Sequence, residues 1–266
     1  MKLTMLGTGH ALVTECYNTC FVISDDGNHF LVDGGGGNAI LKQLKAADIS
    51  LNDIHNVFIT HKHTDHLLGI VWVVRVVCQE LMKGNYDGIL NVYGHDEVLN
   101  LLRDMARKLL WEKEYAFIGD RILLHEVTDG QSAEIIGHKT TFFDVDSKKA
   151  KQFGFTMEIR ENEKLTCCGD EPLHDTVMSY AENAKWLLHE ALCLYSERDI
   201  HKPYEKHHST VKDACEMAEN LGVRNLVLYH TEDDTIADRK NLYTREGKAY
   251  YHGNLFVPDD LEIINL

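Results

Sequence analysis

The amino-acid sequence predicts an α/β fold (α+β type), arranged as a four-layer αββα sandwich. Short strand-like segments followed by helix-like segments occur twice along the chain, and this order suits two sheets packed on each other with helices on both outer faces. Apolar residues make up 44% of the 266 residues, which is enough for a sizeable core, and only three prolines are present, which argues against linkers. We therefore expect a single domain over residues 1–266.

Strands joined by tight turns and then helices are expected in the first half of the chain. The predicted strands are residues 2–7, 19–24, 29–33, 56–60 and 89–93. The predicted helices are residues 38–47, about 67–82 and 95–110. Asp26-Gly27-Asn28 is a strong hairpin signal between the second and third strands. Gly84-Asn85 ends the second helix, because these residues favour the conformation that stops a helix.

The second half of the chain repeats this order. Short strands alternate with turns over residues 122–159. Residues 172–182 and 209–221 are predicted as helices. The apolar runs at residues 186–188 and 226–228 are typical of buried strands.

Three histidines and one aspartate lie within His61-Lys62-His63-Thr64-Asp65-His66, directly after the predicted strand 56–60. Residues two apart near a strand end point to the same side, so His61 and His63 can bind one ion. Asp65 and His66 follow in the turn and can bind a second ion. Imidazole nitrogen and carboxylate oxygen are the usual ligands of catalytic zinc or iron. The motif therefore predicts a metal centre at a strand-to-helix corner.

Charge and cysteine content bear on partners and location. The 27 Lys and Arg against 42 Asp and Glu give a formal net charge of −15. Nucleic-acid binders usually carry a basic footprint, so RNA is disfavoured as a substrate, although it stays an alternative. No window reaches the roughly 18 apolar residues of a membrane span, and no signal-peptide core is present. The seven cysteines lack framework spacing and are expected to be free thiols in a reducing cytoplasm.

Further motifs resemble those of the metallo-β-lactamase superfamily, and this resemblance covers nearly the whole chain. They are Leu6-Gly7-Thr8-Gly9-His10-Ala11, Phe30-Leu31-Val32-Asp33-Gly34, the His61–His66 motif, Cys168-Gly169-Asp170 and Leu228-Tyr229-His230. His189-Glu190-Ala191 and His208-Ser209-Thr210 narrow the resemblance to the ribonuclease Z branch, whose members are phosphodiesterases. The resemblance implies the metallo-β-lactamase sandwich and a metal-dependent hydrolase.

The resemblance also implies a role for each metal ligand. Asp170 would bridge two divalent ions, because one carboxylate has two oxygens. His230 would complete the second metal together with Asp65 and His66. Zinc is the foremost candidate for both ions, with manganese or iron as alternatives. A hydroxide shared by metals about 3.5–4 Å apart would be the nucleophile, and Asp65 would also orient it or accept its proton.

Residues outside the ligand set are expected to assist. By similarity to the ribonuclease Z branch, His208 is the candidate general acid for the leaving alkoxide, and Glu190 would hold its tautomer and charge. In related enzymes the position of Asp33 supports a metal histidine. The glycine run 34–37 lacks the Lys-Ser/Thr of a nucleotide-binding loop and is expected to be a tight turn near the metals. His10 lies near the predicted site but has no ligand spacing.

The chain departs from the ribonuclease Z pattern at the third histidine of the first metal. In that branch this histidine shortly precedes an aromatic-Gly-aromatic strand, which here is Phe153-Gly154-Phe155. Asp146 is the best candidate for the missing ligand, and Asp144 is the next. The alternative is that Asp146 is a turn residue and the first metal is weakly held or absent. His138 is a poor substitute, because Ile136-Gly137-His138 is typical of a hairpin turn.

A second departure bears on the substrate. Ribonuclease Z enzymes that trim transfer RNA insert a long arm after this strand, whereas here only residues 157–165 connect it to the next one. We therefore expect a dinuclear-metal phosphodiesterase acting on a small or cyclic diester. The alternatives are a tRNA 3′-processing endoribonuclease, a lactonase or thioesterase-type hydrolase, and a metal-depleted binding protein. Residues 95–115, with several aromatics, are expected to shape the pocket, to form a homodimer contact or simply to belong to the core.

Overall fold

The computed structural model describes all 266 residues, and its contacts divide the chain into two compact units. The first unit comprises Met1–Gly7, Tyr17–Val127 and Asp260–Leu266. The second unit comprises Thr8–Cys16 and Thr128–Asp259. Each unit contains one seven-stranded sheet with helices. The single domain predicted over residues 1–266 stays a prediction.

The sheet of the first unit has the strand order β14-β1-β2-β3-β4-β5-β6. Its strands are β1 Lys2–Gly7, β2 Cys20–Asp25, β3 Asn28–Val32, β4 Ile54–Phe58, β5 Leu90–Gly94, β6 Ile122–Glu126 and β14 Ile263–Asn265. The pairs from β14 to β3 are antiparallel, and the pairs from β3 to β6 are parallel. The predicted hairpin joins β2 to β3, and Asp26 and Gly27 adopt the positive φ that such a tight turn needs.

Four helices accompany this sheet: α1 Ala39–Ala46, α2 Thr64–Lys83, α3 Asp96–Leu109 and α4 Glu112–Tyr115. Buried residues of α2 recur at helical spacing, as in Leu67, Ile70, Val74 and Val77, and they pack with buried residues of α1, α3 and the sheet. Gly84 ends α2 in the left-handed conformation, as predicted. This packing fixes the first turn of α2, which carries half of the histidine motif.

The sheet of the second unit has the order β13-β12-β11-β10-β9-β8-β7. Its strands are β7 Ser132–Ile135, β8 His138–Asp144, β9 Phe153–Arg160, β10 Glu163–Cys167, β11 Trp186–Glu190, β12 Asn225–Tyr229 and β13 Asn254–Phe256. The pairs from β7 to β10 are antiparallel, and those from β10 to β13 are parallel. Parallel strands end at the same edge of a sheet, so the segments after β10, β11 and β12 can come together there.

The helices of the second unit are α5 Met178–Ala181, α6 Arg198–His201, α7 Val211–Asn220 and α8 Arg239–Gly247. Thr210 caps α7: its side chain accepts a hydrogen bond from the Asp213 backbone N–H, and the Asp213 carboxylate accepts one from the Thr210 backbone N–H. Ala214 and Ala218 of α7 pack against buried leucines of β11 and β12. The cap and this packing fix the segment that precedes α7.

Two predicted elements differ from the structure in a way that matters for the site. Helix α2 begins at Thr64 and not at residue 67, so Asp65 lies in its first helical turn, where a carboxylate is stabilised by the helix dipole. The helix predicted over 172–182 is shorter and irregular: a 3₁₀ turn at Asp175–Val177 precedes the short α5. The Leu173 N–H donates to the His189 ring at 3.3 Å, so Leu173 is held by β11 and lies outside the helical turns. No helix is long and apolar enough to cross a membrane.

Candidate metal centre

Asp33 is the buried anchor of the histidine motif in the first unit. It follows β3, and its carboxylate accepts hydrogen bonds from the Thr60 backbone N–H at 2.8 Å and from the Thr60 hydroxyl at 2.7 Å. The same carboxylate contacts Nδ1 of His66 at 2.8 Å. Asp33 therefore supports a histidine of the motif, as the resemblance implied. Because Asp33 contacts Nδ1, the other ring nitrogen of His66, Nε2, is the one left to coordinate a metal.

The glycine run beside Asp33 allows the first turns of α2 to approach closely. The Gly34 N–H donates to the His66 carbonyl at 2.9 Å, and the Gly69 N–H donates to the Gly35 carbonyl at 2.8 Å. A Cβ on Gly69 would lie 1.7 Å from the Gly34 oxygen. The Tyr17 hydroxyl donates to backbone oxygens of this run. These contacts agree with the predicted tight turn, because the backbone N–H and C=O groups of the glycine run form hydrogen bonds with other residues of the protein.

The structure brings His61, His63, Asp65 and His66 together in the first unit. Nε2 of His61 lies 2.8 Å from Nδ1 of His63, and the His61 and His66 ring centroids are 4.2 Å apart. Oδ2 of Asp65 lies 3.3 Å from Nε2 of His66. His61, Asp65 and His66 are buried. Burial alone would lower the pKa of His66, but the Asp65 and Asp33 carboxylates outweigh it and raise that pKa well above its usual value.

In the second unit, Asp170, His208 and His230 form a buried group. One ligand atom from each lies within 4.8 Å of the others. Asp170 follows β10, beyond Gly169 in the left-handed conformation, and His230 directly follows β12 with φ 57°. Oδ2 of Asp170 is 3.6 Å from Nε2 of His230, and the His208 and His230 ring centroids are 5.1 Å apart.

Glu190, at the end of β11, is fully buried beside His208. One carboxylate oxygen lies 3.4 Å from Nδ1 of His208, and the other accepts a hydrogen bond from the Ser209 backbone N–H. A buried carboxylate in this place can orient the imidazole ring and fix its tautomer. The side chain of His208 is only 11% exposed.

Lys149 is a residue of this group that the sequence analysis missed. Its Nζ lies 3.2 Å from the main-chain oxygen of Asp170, 3.4 Å from Oδ2 of Asp170 and 3.5 Å from Nε2 of His208. No sequence motif indicates its role, because it lies in an irregular segment between β8 and β9. The only signal in the sequence was the pair of lysines at 148 and 149, close to the Asp146 position.

His10 also lies beside the second-unit group. Its ring centroid is 6.2 Å from that of His230. Burial, followed by the nearby His230 and Lys206, lowers the pKa of His10 to about 4. The side chain is therefore neutral at pH 7, and it can donate or accept a hydrogen bond next to His230.

Asp146 lies outside the group formed by Asp170, His208 and His230. Its side chain is 53% exposed, and Oδ2 accepts a hydrogen bond from Lys148 Nζ at 2.9 Å. That hydrogen bond lowers the pKa of Asp146. The Asp146 N–H donates to Asp144, in a turn with positive φ at Asp146. Asp146 therefore lies in a turn and its carboxylate is paired with Lys148. Its assignment as a metal ligand stays a prediction.

The donor sets of the two units fit divalent metal ions. The first unit gathers imidazoles and a carboxylate within contact distance, and the second unit gathers two imidazoles and a carboxylate that are all buried. Buried carboxylates and histidines of this kind are usually paired or coordinate a metal. His138, by contrast, uses Nδ1 against the Glu158 carbonyl at 3.1 Å, so it is committed to the sheet.

Comparisons with known proteins give a family and a fold. The model of the family described as anti-Pycsar protein Apyc1 matches residues 1–247. A ribonuclease Z from Methanothermobacter thermautotrophicus is 25% identical, with 86% of each chain covered. Metallo-β-lactamase fold protein YhfI from Bacillus subtilis has a TM-score of 0.80 at 16% identity, with 99% of this chain and 98% of that one covered. The short form of human tRNase Z has a TM-score of 0.77 at 21% identity, with 100% and 99% covered.

These comparisons confirm the predicted fold and the predicted superfamily. The chain has the metallo-β-lactamase fold, and its relatives named ribonuclease Z confirm the resemblance to that branch. It is a metal-dependent hydrolase.

Proposed function

We propose, from the premise that this chain belongs to the anti-Pycsar protein Apyc1 family, that it is a dinuclear-metal phosphodiesterase for a small or cyclic phosphodiester. The observation that carries the proposal is the buried group of Asp170, His208 and His230, with Glu190 against His208. This group combines metal-binding atoms with a histidine held for proton transfer. Such a pair of functions is what cleavage of a phosphodiester to an alcohol requires.

The proposed ligands are assigned within each unit. His61, His63, Asp65 and His66 are the ligands of the first unit, and Asp170, His230 and the weaker candidate Asp146 are those of the second. When bound, the divalent ions, zinc foremost, lower the pKa of a water molecule so that hydroxide is available, and they polarise the phosphoryl oxygen.

The chain's own residues would perform the proton transfers. Asp65 would orient the attacking water or accept its proton. His208 would donate a proton to the leaving alkoxide, so that the departing oxygen leaves as an alcohol. Glu190 would act through His208, because a buried carboxylate favours the protonated ring that this step needs.

The substrate class is supported by the connection between β9 and β10. Only Glu161 and Asn162 separate the two strands, and Asn162 takes the positive φ of a tight turn. A two-residue turn offers no surface for gripping a folded RNA. A small or cyclic diester needs no such surface, because the catalytic groups themselves can bind its phosphate.

RNA is the second candidate substrate. It is favoured by the relatives named ribonuclease Z, of which the one from Methanothermobacter thermautotrophicus covers 86% of this chain. The chemical step would be the same, since an RNA strand is also a chain of phosphodiesters. The two candidates differ in what must be bound outside the scissile phosphate.

Turnover by the zinc-loaded protein tests the proposal. We expect hydrolysis of bis(p-nitrophenyl) phosphate and of cyclic mononucleotides, and much slower cleavage of a precursor transfer RNA. Asp170→Ala should lower both metal content and turnover, whereas Asp199→Ala, at a side chain that is 88% exposed, should change neither. Faster cleavage of the precursor RNA than of every small diester would favour the second candidate. An unchanged metal content in Asp170→Ala would refute the assignment of Asp170 as a ligand.

A further inference from the structure

We infer that Lys149 is the phosphate-binding residue of the second unit, an inference that rests on the proposed function. Its ammonium group would contact a non-bridging oxygen of the substrate phosphate and would stabilise the negative charge that these oxygens carry in the transition state. The distances that motivate this are 3.4 Å from Nζ to Oδ2 of Asp170 and 3.5 Å from Nζ to Nε2 of His208.

The side chain of Lys149 is directed inward. It is 17% exposed, whereas that of the adjacent Lys148 is 53% exposed and pairs with Asp146. A lysine side chain on a surface segment normally keeps its charge in water. Nζ lies instead beside the buried Asp170 and His208, where its charge would be available to an anion next to the proposed general acid.

The segment that carries Lys149 is fixed by its own hydrogen bonds. The Lys149 and Ala150 N–H groups donate to the Ser147 hydroxyl at 3.2 and 3.3 Å. The Lys148 N–H donates to the buried carboxylate of Glu171 at 3.3 Å. The Val145 N–H donates to the Gln152 carbonyl at 3.1 Å, which closes the segment at its base. A cation held in advance on such a segment loses little entropy when it binds the transition state.

The position of the Lys149 ammonium group does not depend only on its contact with the Asp170 carboxylate. Nζ is also 3.2 Å from the main-chain oxygen of Asp170. That contact would remain when the carboxylate coordinates a metal, because the carbonyl is a separate acceptor. The ammonium group would then keep its place beside His208. No proton leaves Lys149 during the reaction. The oxygen of water forms the new bond to phosphorus and its proton passes to the proposed base Asp65, while the bond to the alkoxide breaks and His208 supplies the proton to the alkoxide.

The experiment uses the full-length zinc-loaded protein and three variants. Lys149→Met removes the charge and keeps most of the length, Lys149→Arg keeps the charge, and Lys151→Met is the control. Lys151 lies on the same segment, with Nζ 5.7 Å from the Phe153 ring centroid. Circular dichroism checks the fold, atomic emission gives the zinc content, and calorimetry gives the affinity for inorganic phosphate. Turnover of bis(p-nitrophenyl) phosphate gives kcat and KM.

We expect Lys149→Met to lower kcat by about 100-fold, as the loss of one preorganised charge-stabilising donor does. Its affinity for inorganic phosphate should fall about tenfold while its zinc content is unchanged. Lys149→Arg should restore part of both, and Lys151→Met should match the wild type. Wild-type phosphate affinity and kcat in Lys149→Met would overturn the inference. A rise in zinc content without a loss of phosphate affinity would also overturn it, because Lys149 would then only compete with the metal.

The failure of the inference can be separated from the failure of the proposed function. Calorimetry with inorganic phosphate needs no turnover. A wild-type protein that hydrolyses no phosphodiester but binds phosphate through Lys149 would refute the phosphodiesterase and keep the anion site. A wild-type protein that hydrolyses diesters equally well without Lys149 would keep the phosphodiesterase and refute the site.

Discussion

Replacing Asp33 by asparagine should weaken metal binding in the first unit, although none of the proposed metal ligands is removed. Asp33 is 3% exposed. One of its oxygens accepts from the Thr60 N–H at 2.8 Å, and the other lies 2.7 Å from the Thr60 hydroxyl and 2.8 Å from Nδ1 of His66. Asparagine has one acceptor oxygen, which the Thr60 N–H would keep. Its amide group would then face the hydroxyl and the imidazole as a donor.

The hydroxyl can rotate to accept, but the imidazole can accept at Nδ1 only if its proton moves to Nε2. A proton on Nε2 blocks the atom by which His66 would coordinate. Loss of a supporting carboxylate of this kind typically lowers metal affinity by about 10- to 100-fold, which is about 1.4–2.8 kcal/mol. Three hydrogen bonds to a charged group also become bonds to a neutral one, so the metal-free protein should lose about 2–3 kcal/mol of its free energy of unfolding.

Competition with a zinc chelator measures the affinity, and a long-range ¹⁵N–¹H NMR spectrum of the histidine rings reports the tautomer of His66. The control is Asp48→Asn, an exposed position whose φ of 56° asparagine tolerates well. Zinc affinity of Asp33→Asn within twofold of the wild type would refute the reasoning. So would a spectrum in which the proton of His66 stays on Nδ1.

Three further outcomes test other parts of the structure. Glu190→Gln should slow hydrolysis by about 10- to 100-fold for alkyl leaving groups, which need a proton from His208. The loss should be much smaller for p-nitrophenolate, which needs no proton. A series of leaving groups checks this, and equal losses across the series would contradict the assignment. Asp146→His should raise zinc affinity and phosphodiester turnover if Asp146 is the surrogate ligand, and equal affinity and stoichiometry in a metal titration would remove it from the site. Gly69→Ala should cost about 3 kcal/mol in thermal unfolding because its Cβ would lie 1.7 Å from a backbone oxygen, whereas Gly37→Ala, whose Cβ meets nothing within 4 Å, should cost little.

The parts of the site that lie at the ends of regular strands could be predicted from the sequence. The histidine motif follows β4, Glu190 ends β11 and His230 follows β12. Hydrophobic runs mark those strands, and the polar residues that follow them are local signals. The buried contact of Glu190 with His208 was expected from the resemblance, and the structure places the two within 3.4 Å.

Residues whose position depends on tertiary contacts could not be predicted in this way. Lys149 reaches Asp170 only because Ser147 and Glu171 fix an irregular segment. Residues 172–182 have helical spacing, but only residues 175–181 form helical turns, because the hydrogen bond from Leu173 to His189 holds the start of the segment. The three-residue strands β13 and β14 are too short to show periodicity. Local propensity is overruled wherever a distant partner holds the backbone.

The acidic composition weighs less against an anionic substrate than the sequence suggested. The net charge of −15 counts every Lys, Arg, Asp and Glu of the chain, but exposed charges more than about 8 Å away are largely screened at physiological ionic strength. Groups within a few ångströms act nearly unscreened, and in the second unit Lys149 lies 3.5 Å from the proposed general acid. The local balance in the second unit therefore depends on Lys149 and the proposed ions against Asp170 and Glu190, and not on the total. A small diester would meet only these nearby groups, whereas an extended RNA would also meet charges outside the site, whose sum is negative, so the composition disfavours the large substrate more than the small one.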